Sequence, residues 1–315
     1  MAGTAKQWLV GCGIGCGLMV ALGLGLGAAG WYGVRHVAKR AETMEAASDS
    51  LATKFGPPEA WAPPLDGGLD PARIEAFLEA RRLMAPERER TSNNLAVLDG
   101  SKGSSVPAKI AAGVDFVPRL LGFIEERDRA LLQVDMGPGE YMYLYSVAYF
   151  GLLAKDPGDG PGFHLAGDGG EDRGHSWSFG KQGESGGRVE IGGPGDSGDS
   201  GDSGGSGDSG DEAKREGVRK QRVADIRELL NRVQRENLRR QLAAVDASGD
   251  GTARASWRQA LATELAAMEA DPARLAWEQG LPEPTRAALE PFRARLEASY
   301  DGMTGVLELG LNDRD

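Results

Sequence analysis

The residues best suited to hold a metal ion lie in "DASGDGT", residues 246–252. Oxygen atoms of the kind that calcium prefers stand at positions 1, 3 and 5 of this loop, on Asp246, Ser248 and Asp250. Position 9 is Arg254, however, and position 12, where a calcium loop needs a bidentate glutamate, is Trp257. The missing carboxylate and the added cation favour a turn between two helices. A weak calcium-responsive module remains an alternative function, and no metal ligand is assigned.

Two further motifs match the sequence patterns of catalytic or cofactor sites but lack the surrounding residues that such sites need. "GDSGG" at 201–205 matches the nucleophile stretch of serine proteases, but it lies in a Gly/Asp/Ser repeat that produces such matches by chance. A serine nucleophile also needs a placed histidine, and the chain has only His36, His164 and His175. "GLGAAG" at 25–30 fits a dinucleotide-binding pattern without a βαβ unit around it. No catalytic residue and no cofactor-binding residue is therefore assigned.

Aromatic residues are concentrated in "GPGEYMYLYSVAYFG", residues 137–151, which holds four of the six tyrosines. A ligand-binding stripe, a β-strand and a buried helix are the three interpretations. A strand would place alternate tyrosines on one face, whereas a helix would align Tyr141, Tyr145 and Tyr149. The apolar run is long for a strand and follows a Gly-Pro-Gly break. We therefore predict a helix whose tyrosines lie in the core.

The longest uncharged run of the chain is Trp8–Val34, "WLVGCGIGCGLMVALGLGLGAAGWYGV". At about 1.5 Å rise per residue, a helix of this length crosses a hydrocarbon core of about 30 Å with room for tilt. Aromatic rings stand near both ends, and Arg35, Lys39 and Arg40 follow the run. These features predict a short tail at 1–7 and a retained transmembrane helix at 8–34, which makes the lipid bilayer the first partner.

A cleaved signal peptide and a lipoprotein are the alternatives to a retained anchor. The apolar core of a signal peptide is shorter, about 7–15 residues, and the lipoprotein-like "LVGC" at 9–12 has only eight residues before it. The span also contains GxxxG spacings, which allow close helix packing and self-association; their glycines include Gly11, Gly15, Gly23 and Gly27. A single span without a helix partner is the alternative. The basic excess after the span is small, so the side of the membrane is left open.

The chain after the anchor is predicted to be helical in two stages. Residues 35–68 combine a short polar helix at 35–55 with "GPPEAWAPPLDGG" at 56–68, whose four prolines make a stiff spacer. Residues 69–155 form the first half of a helical domain. Its first helix starts at Pro71 with Asp70 as its cap, and a second helix follows from about Pro107.

Residues 156–211 form a glycine-rich acidic tract that is predicted to be disordered. Twelve of its residues are Asp or Glu and three are Lys or Arg, and its end repeats a Gly-Asp-Ser unit. Such a segment cannot bury enough apolar surface to offset the entropy lost on ordering. Because the tract holds most of the net charge of −11, the rest of the chain is nearly neutral, which argues against nucleic acid as a partner.

Residues 212–315 are predicted to form the second half of the helical domain. An apolar stripe over 223–245 lies on a helix rich in Lys and Arg, whose basic face can bind acidic lipid or the acidic tract but is more simply a solvated face. A second helix includes Trp257, and a third starts at Pro291 with Phe292, Leu296 and Tyr300 on one face. Because each half has few large apolar residues, we expect both halves to share one core.

Three segments together resemble a group of bacterial proteins with one N-terminal membrane span and a helical remainder. They are "LDPARIEAFLEARRLMAP" (69–86), "MGPGEYMYLYSVAYFG" (136–151) and "WEQGLPEPTRAALEPFRARLEASYDGMTGVLELG" (277–310). The resemblance is one of pattern and implies a single-pass protein of the bacterial cell membrane. It carries no activity with it.

The sequence thus predicts an all-α fold, with one N-terminal transmembrane helix and a helical domain interrupted by a long disordered insertion. The leading function is a membrane-anchored interaction or structural protein that holds an unidentified protein partner. An enzyme whose site lies in the helical core is the other alternative. No cofactor is expected.

Overall fold

The computed structural model describes residues 43–99, 105–160, 175–178, 188–191, 208–248 and 252–309. Helix α1 runs over residues 43–55. The remaining elements are α2 (Pro71–Asp99), α3 (Val106–Gln133), α4 (Pro138–Tyr145), β1 (His175–Ser178), β2 (Arg188–Ile191), α5 (Asp208–Ala247), α6 (Thr252–Ala270), α7 (Glu283–Leu289), α8 (Arg293–Ser299) and α9 (Gly305–Leu309). Short 3-10 turns lie at Pro58–Ala60 and Glu290–Phe292, and α4 continues as a π-helix over Ser146–Leu152.

The predicted all-α character is confirmed for the described residues in 43–160 and 208–309, which we call the helical body and which contain no strand. Among the residues that the structure describes, no helix combines the length and apolar character needed to cross a bilayer. The predicted anchor at 8–34 with its GxxxG glycines lies outside those residues and stays a prediction. "GLGAAG" and "GDSGG" also lie outside them.

The acidic tract at 156–211 contains regular structure that its overall composition does not predict. Strands β1 and β2 pair antiparallel, with His175 opposite Ile191 and Trp177 opposite Val189. These two short stretches hold several of the β-forming residues of an otherwise Gly-rich tract, which explains why pairing occurs there. Helix α5 also begins inside the tract, at Asp208. The other residues between 161 and 207 lie outside the described part.

Helix α2 begins where the sequence predicts. The Asp70 carboxylate accepts a hydrogen bond of 2.9 Å from the Ala72 amide, and Pro71 occupies the first turn, where its missing N–H costs nothing. The apolar face of α2 is buried, with Ile74 and Met84 fully covered. This face packs onto α3, α4 and α8, so α2 lies at the centre of the helical body.

The tyrosine-rich stretch is a helix, as predicted, and its side chains are buried. Gly137 precedes Pro138, which starts α4, and Tyr141, Tyr145 and Tyr149 are each about 1 % exposed or less. The α-helical spacing does not continue to the end of the stretch, because residues 146–152 wind as a π-helix. The chain lies inside the core as far as Tyr149, and the last residues of the π-helix are half-buried.

The proline-rich segment at 56–68 packs against the helical body. Asn237 and Gln241 of α5 lie beside its backbone, and Gln241 donates to the Pro64 carbonyl. The ring of Trp61 lies 5.2 Å from that of Tyr143, and Thr285 donates to the Gly67 carbonyl at 2.7 Å. The segment is therefore not helical beyond one 3-10 turn, as its prolines predict, but it contributes packing as well as length.

Helices α5 and α6 form as predicted and pack against each other, whereas the third helix differs from its prediction. A single helix from Pro291 is expected, whereas the structure has α7, a 3-10 turn at Glu290–Phe292 and then α8. Proline lacks an amide hydrogen and fixes its own φ, which explains the interruption. Leu296 is fully buried, while Phe292 and Tyr300 are half-buried at the edge of the core.

One hydrophobic cluster joins the two halves of the helical body. It contains Phe77 and Leu144 from the first half together with Leu230, Leu261 and Leu296 from the second. These side chains lie far apart in the sequence, so the cluster is built from both halves. The expectation of a shared core therefore agrees with the packing.

Candidate functional site

The most enclosed polar group of the helical body is an ion pair between Arg81 of α2 and Glu308 of α9. Both side chains are fully buried. Arg81 Nη1 donates to Glu308 Oε2, and the Tyr141 hydroxyl donates to the same oxygen at 2.9 Å. The other oxygen, Oε1, accepts a bond of 3.0 Å from the Thr304 hydroxyl. Both carboxylate oxygens are therefore hydrogen-bonded, as a buried charge requires.

The guanidinium of Arg81 also fills an aromatic cage. Its central carbon lies 4.8 Å from the ring centre of Tyr149, 5.3 Å from that of Tyr145 and 5.8 Å from that of Phe77. Its remaining nitrogens, Nε and Nη2, donate to the Ser299 carbonyl at 3.2 and 2.6 Å. Stacked rings of this kind recognise cations. Here the cation is supplied by the chain itself, and we call these residues the Arg81 cluster.

The charges of the cluster are fixed by its burial and its pairing. Burial is the largest single influence on the pKa of Arg81 and lowers it, but Glu308 together with the surrounding tyrosines raises that pKa well above its ordinary value. Burial and then the charge of Glu308 raise the pKa of Tyr141 and of Tyr145 well above the usual value. Both phenols therefore stay protonated at neutral pH, and the Tyr141 hydroxyl acts as a hydrogen-bond donor.

Two further polar side chains of α2 extend the cluster along the helix. Arg88 Nη1 lies 3.7 Å from Glu308 Oε1, an ion-pair distance that is too long for a hydrogen bond. Thr91, one turn further, is 1 % exposed, and its hydroxyl has no hydrogen-bond partner among the described residues. Glu308 thus lies between two arginines, which balances its charge.

A second buried carboxylate, Asp128 of α3, belongs to a set of hydrogen bonds that connects α3 with α1 and α9. Its oxygens accept hydrogen bonds from the Ser48 hydroxyl and from Arg127 Nε and Nη2, the latter two at 2.8 and 2.6 Å. Arg127 Nη1 also donates to the Leu307 carbonyl at 3.2 Å. The acid is therefore occupied by Ser48 and by its neighbour Arg127, and Arg127 in turn binds α9.

The loop between α6 and α7 is held by polar side chains of α5 and α6. Asn231 donates to the carbonyls of Met268, Asp271 and Arg274, and Gln234 accepts from the Ala276 amide at 2.8 Å. Such bonds replace the regular backbone pairing that the loop lacks. They fix the loop that leads to Gly280.

The calcium-like loop after α5 has its first acid paired. Asp246 forms an ion pair with Arg258 of α6, and Ser248 donates to the Val245 carbonyl at 2.7 Å. Trp257, at the position where a glutamate is needed, stacks on Trp277 with ring centres 5.6 Å apart. Asp250 lies outside the described residues. No group of three potential metal ligands occurs in the part of the chain that the structure describes.

Two open clefts lie on the described surface. One of about 330 Å³ runs between α2 and α3 beside Pro86 and Gly122, and its charged side chains are paired as Arg90 with Glu87 and Arg129 with Glu125. The other, of about 210 Å³, lies where the π-helix meets the α6–α7 loop, α7 and α8. We call the second one the π-helix cleft.

Sequence reasoning places the tyrosines in the core but misses the ion pair that they surround. A signal for Arg81 exists, because it follows Phe77 and Leu78 by four and three positions and so lies on the apolar face of α2. Glu308 stands likewise between Leu307 and Leu309. A lone charge within an apolar face predicts a buried partner, although the sequence does not say which one.

No protein-family model, curated protein or solved structure matches the chain. The likeness of segments 69–86, 136–151 and 277–310 to membrane-anchored bacterial proteins therefore stays a prediction. In the structure these three segments meet: the first supplies Arg81, the second its tyrosines, and the third Ser299, Thr304 and Glu308. The three segments that carry the resemblance therefore come together in the Arg81 cluster.

Proposed function

We propose that the protein is a helical interaction or structural protein held at a bacterial cell membrane by residues 8–34, without chemistry of its own. The uncharged run Trp8–Val34 supports the anchor, because it is long enough to span a bilayer and is followed by Arg35, Lys39 and Arg40. The helical body begins shortly after the run, with α1.

The observation that carries the proposal is the filling of the Arg81 cluster. An aromatic cage with a buried carboxylate is the arrangement in which a ligand or reacting group would be expected. In this chain the cage holds Arg81, and the carboxylate of Glu308 is saturated by Arg81, Tyr141 and Thr304. The cluster therefore stabilises the packing of α2, α4 and α9, and the role of the protein is assigned to its surface.

The anchor is tested by washing membranes with alkali. We expect the full-length chain to stay in the membrane pellet, while a variant that lacks residues 8–34 is released into the supernatant. Release of intact full-length protein would contradict the anchor. Protease treatment of spheroplasts would then establish the side on which the helical body lies.

The interaction role is tested by cross-linking in intact membranes followed by affinity capture of the tagged full-length chain. We expect the full-length chain to capture a defined set of proteins. The control is a chimera in which an unrelated soluble protein replaces the helical body after residues 1–42, and it should not capture this set. Recovery of the same proteins with both chains would assign the interaction to the span and its glycines. Recovery of the full-length chain alone would contradict the interaction role.

A further inference from the structure

The π-helix cleft is lined by two glycines, two leucines and two arginines. Its walls are formed by Gly151, Leu152, Gly280, Leu281, Arg286 and Arg293. Its volume of about 210 Å³ lies below the roughly 300–1,000 Å³ of pockets that hold drug-sized ligands. The size therefore suits a small ion or one charged group of a larger molecule.

The two arginines lie on one face of a nearly continuous helical run. Arg286 of α7 and Arg293 of α8 are seven positions apart, and Glu290 lies between them, so all three share this face. Arg293 binds the Glu290 carboxylate through Nε and Nη2 at 2.7 and 2.9 Å. Arg286 makes one long hydrogen bond of 3.4 Å to the Leu281 carbonyl and has no carboxylate at ion-pair distance among the described residues. The Arg286 guanidinium therefore has no direct ion pair among the described residues, and its charge acts on Glu290 only from a longer distance.

The backbone around the cleft departs from ordinary geometry on both sides. Residues 146–152 form a π-helix, a rare winding that is frequent at functional sites. Gly280 has φ of 150°, which favours glycine, and a side chain there would meet nothing within 4 Å. A side chain at Gly151 would come within 2.7 Å of Leu281. The absence of side chains at Gly151 and Gly280 therefore leaves space in the cleft and exposes the backbone at its wall.

We propose that the π-helix cleft binds a phosphate group through Arg286 and Arg293. Two guanidinium groups on one face match the charge and the several acceptor oxygens of a phosphate better than those of a single carboxylate. The exposed pair of Arg293 with Glu290 is weak in water, so a doubly charged anion competes with Glu290 for that guanidinium. The phosphate comes either from a free phosphate compound or from a lipid headgroup beside the anchor.

The site is tested by calorimetric titration of inorganic phosphate into the full-length chain in a non-ionic detergent. We expect saturable binding that Arg286→Gln and Arg293→Gln each weaken by about tenfold, as loss of a charge-assisted hydrogen bond predicts. Arg295→Gln is the matched control, because this arginine of α8 pairs with Glu75 and does not line the cleft. Melting curves of each variant establish that it is folded.

Glu290→Gln gives the opposite expectation, because it removes the competing carboxylate and frees Arg293. Tighter phosphate binding by this variant supports the proposal. The proposal is overturned if wild type shows no saturable binding, if binding survives in both Arg286→Gln and Arg293→Gln, or if Glu290→Gln binds more weakly.

Nanodiscs separate the two sources of phosphate. If a lipid headgroup occupies the cleft, the apparent affinity for inorganic phosphate is lower in discs that contain phosphatidic acid than in discs of phosphatidylcholine. Arg286→Gln then removes this difference. Equal affinity in both discs assigns the cleft to a free phosphate compound. The titration in detergent does not depend on membrane anchoring, so its outcome is independent of the function proposed above.

Discussion

At the scale of single residues, the structure is organised around a buried charge that is fully paired. Arg81 and Glu308 come from opposite ends of the helical body and are fully buried. Burial makes either charge costly without the other, because neither has water to replace its partner. The tyrosines reduce this cost by offering rings to the cation and a hydroxyl to the anion. A sequence pattern finds the rings, but only the fold brings Glu308 to them.

Breaking this pair from one side should be strongly destabilising. We expect Arg81→Met and Glu308→Leu each to lower the free energy of unfolding by about 3–5 kcal/mol, since each leaves one buried charge without its main partner. The double variant should lose less than either single variant, because no unpaired charge of this pair remains. Thermal and denaturant melts provide the values, with Arg295→Gln in an exposed pair as the control. Single variants that melt like wild type would contradict the role of the pair.

Buried tyrosines also predict how stability depends on alkaline pH. Burial raises the pKa of Tyr143 to about 12, although the neighbouring Trp277 acts in the other direction. The unfolded value is about 10, so the folded state favours the protonated phenol. This contribution to stability is complete below pH of about 10 and is lost as the pH rises towards 12. Melts at increasing pH, together with tyrosinate absorbance, should show a smaller alkaline loss for Tyr143→Phe. An equal loss in both proteins would refute this assignment.

At the scale of elements, hydrophobic periodicity and capping residues predict the long helices, but they do not predict where the winding becomes irregular. Helix α2 follows from the Asp70 cap and its apolar face. The π-helix after α4 does not follow from the sequence, because its residues are as apolar as those of an α-helix and nothing in their pattern marks the change of winding. The sequence also does not predict that residues 56–68 pack against the helical body, because their contacts are with Gly139 and α5, which lie far away in the sequence.

The close approach of α4 to the proline-rich segment depends on glycine. A Cβ atom at Gly139 would lie 2.2 Å from the Pro58 carbonyl oxygen, which is backbone and cannot move alone. We expect Gly139→Ala to lower the free energy of unfolding by about 1–3 kcal/mol, as overpacking does. Gly113→Ala in α3 is the control, because a side chain there meets nothing within 4 Å and should leave the melting temperature unchanged or higher. Equal melting temperatures for wild type and Gly139→Ala would show that the approach is not tight.

At the scale of the whole molecule, two halves separated by the acidic tract build one core. The small number of large apolar residues in each half predicts this sharing, and the cluster that joins Phe77 and Leu144 to Leu230 and Leu261 agrees with it. The π-helix cleft could not be predicted in the same way. Its walls come from the π-helix, the α6–α7 loop, α7 and α8, which are brought together only by the fold.

The acidic tract should be removable without unfolding the helical body. We expect a chain in which a flexible linker of about ten residues replaces 161–207 to keep its helical circular dichroism and melting temperature. Residues 156–160 are kept because the Tyr300 hydroxyl donates to the Asp159 carboxylate at 3.4 Å. Strands β1 and β2 pair with each other, so the replacement removes both of them. Loss of the helical signal would show that the tract supports the body.

The central claim is that one core, shared by both halves, encloses residues 137–151. Leu144→Ala and Tyr145→Ala remove large buried side chains and should each lower the free energy of unfolding by about 2–5 kcal/mol. The most direct measurement is native-state hydrogen exchange of the full-length chain in detergent, followed segment by segment for wild type and Leu144→Ala. A shared core predicts faster exchange in α2 and equally in α5 and α6, which lie beyond the tract. Faster exchange confined to residues 69–155, or no change in either half, would contradict it.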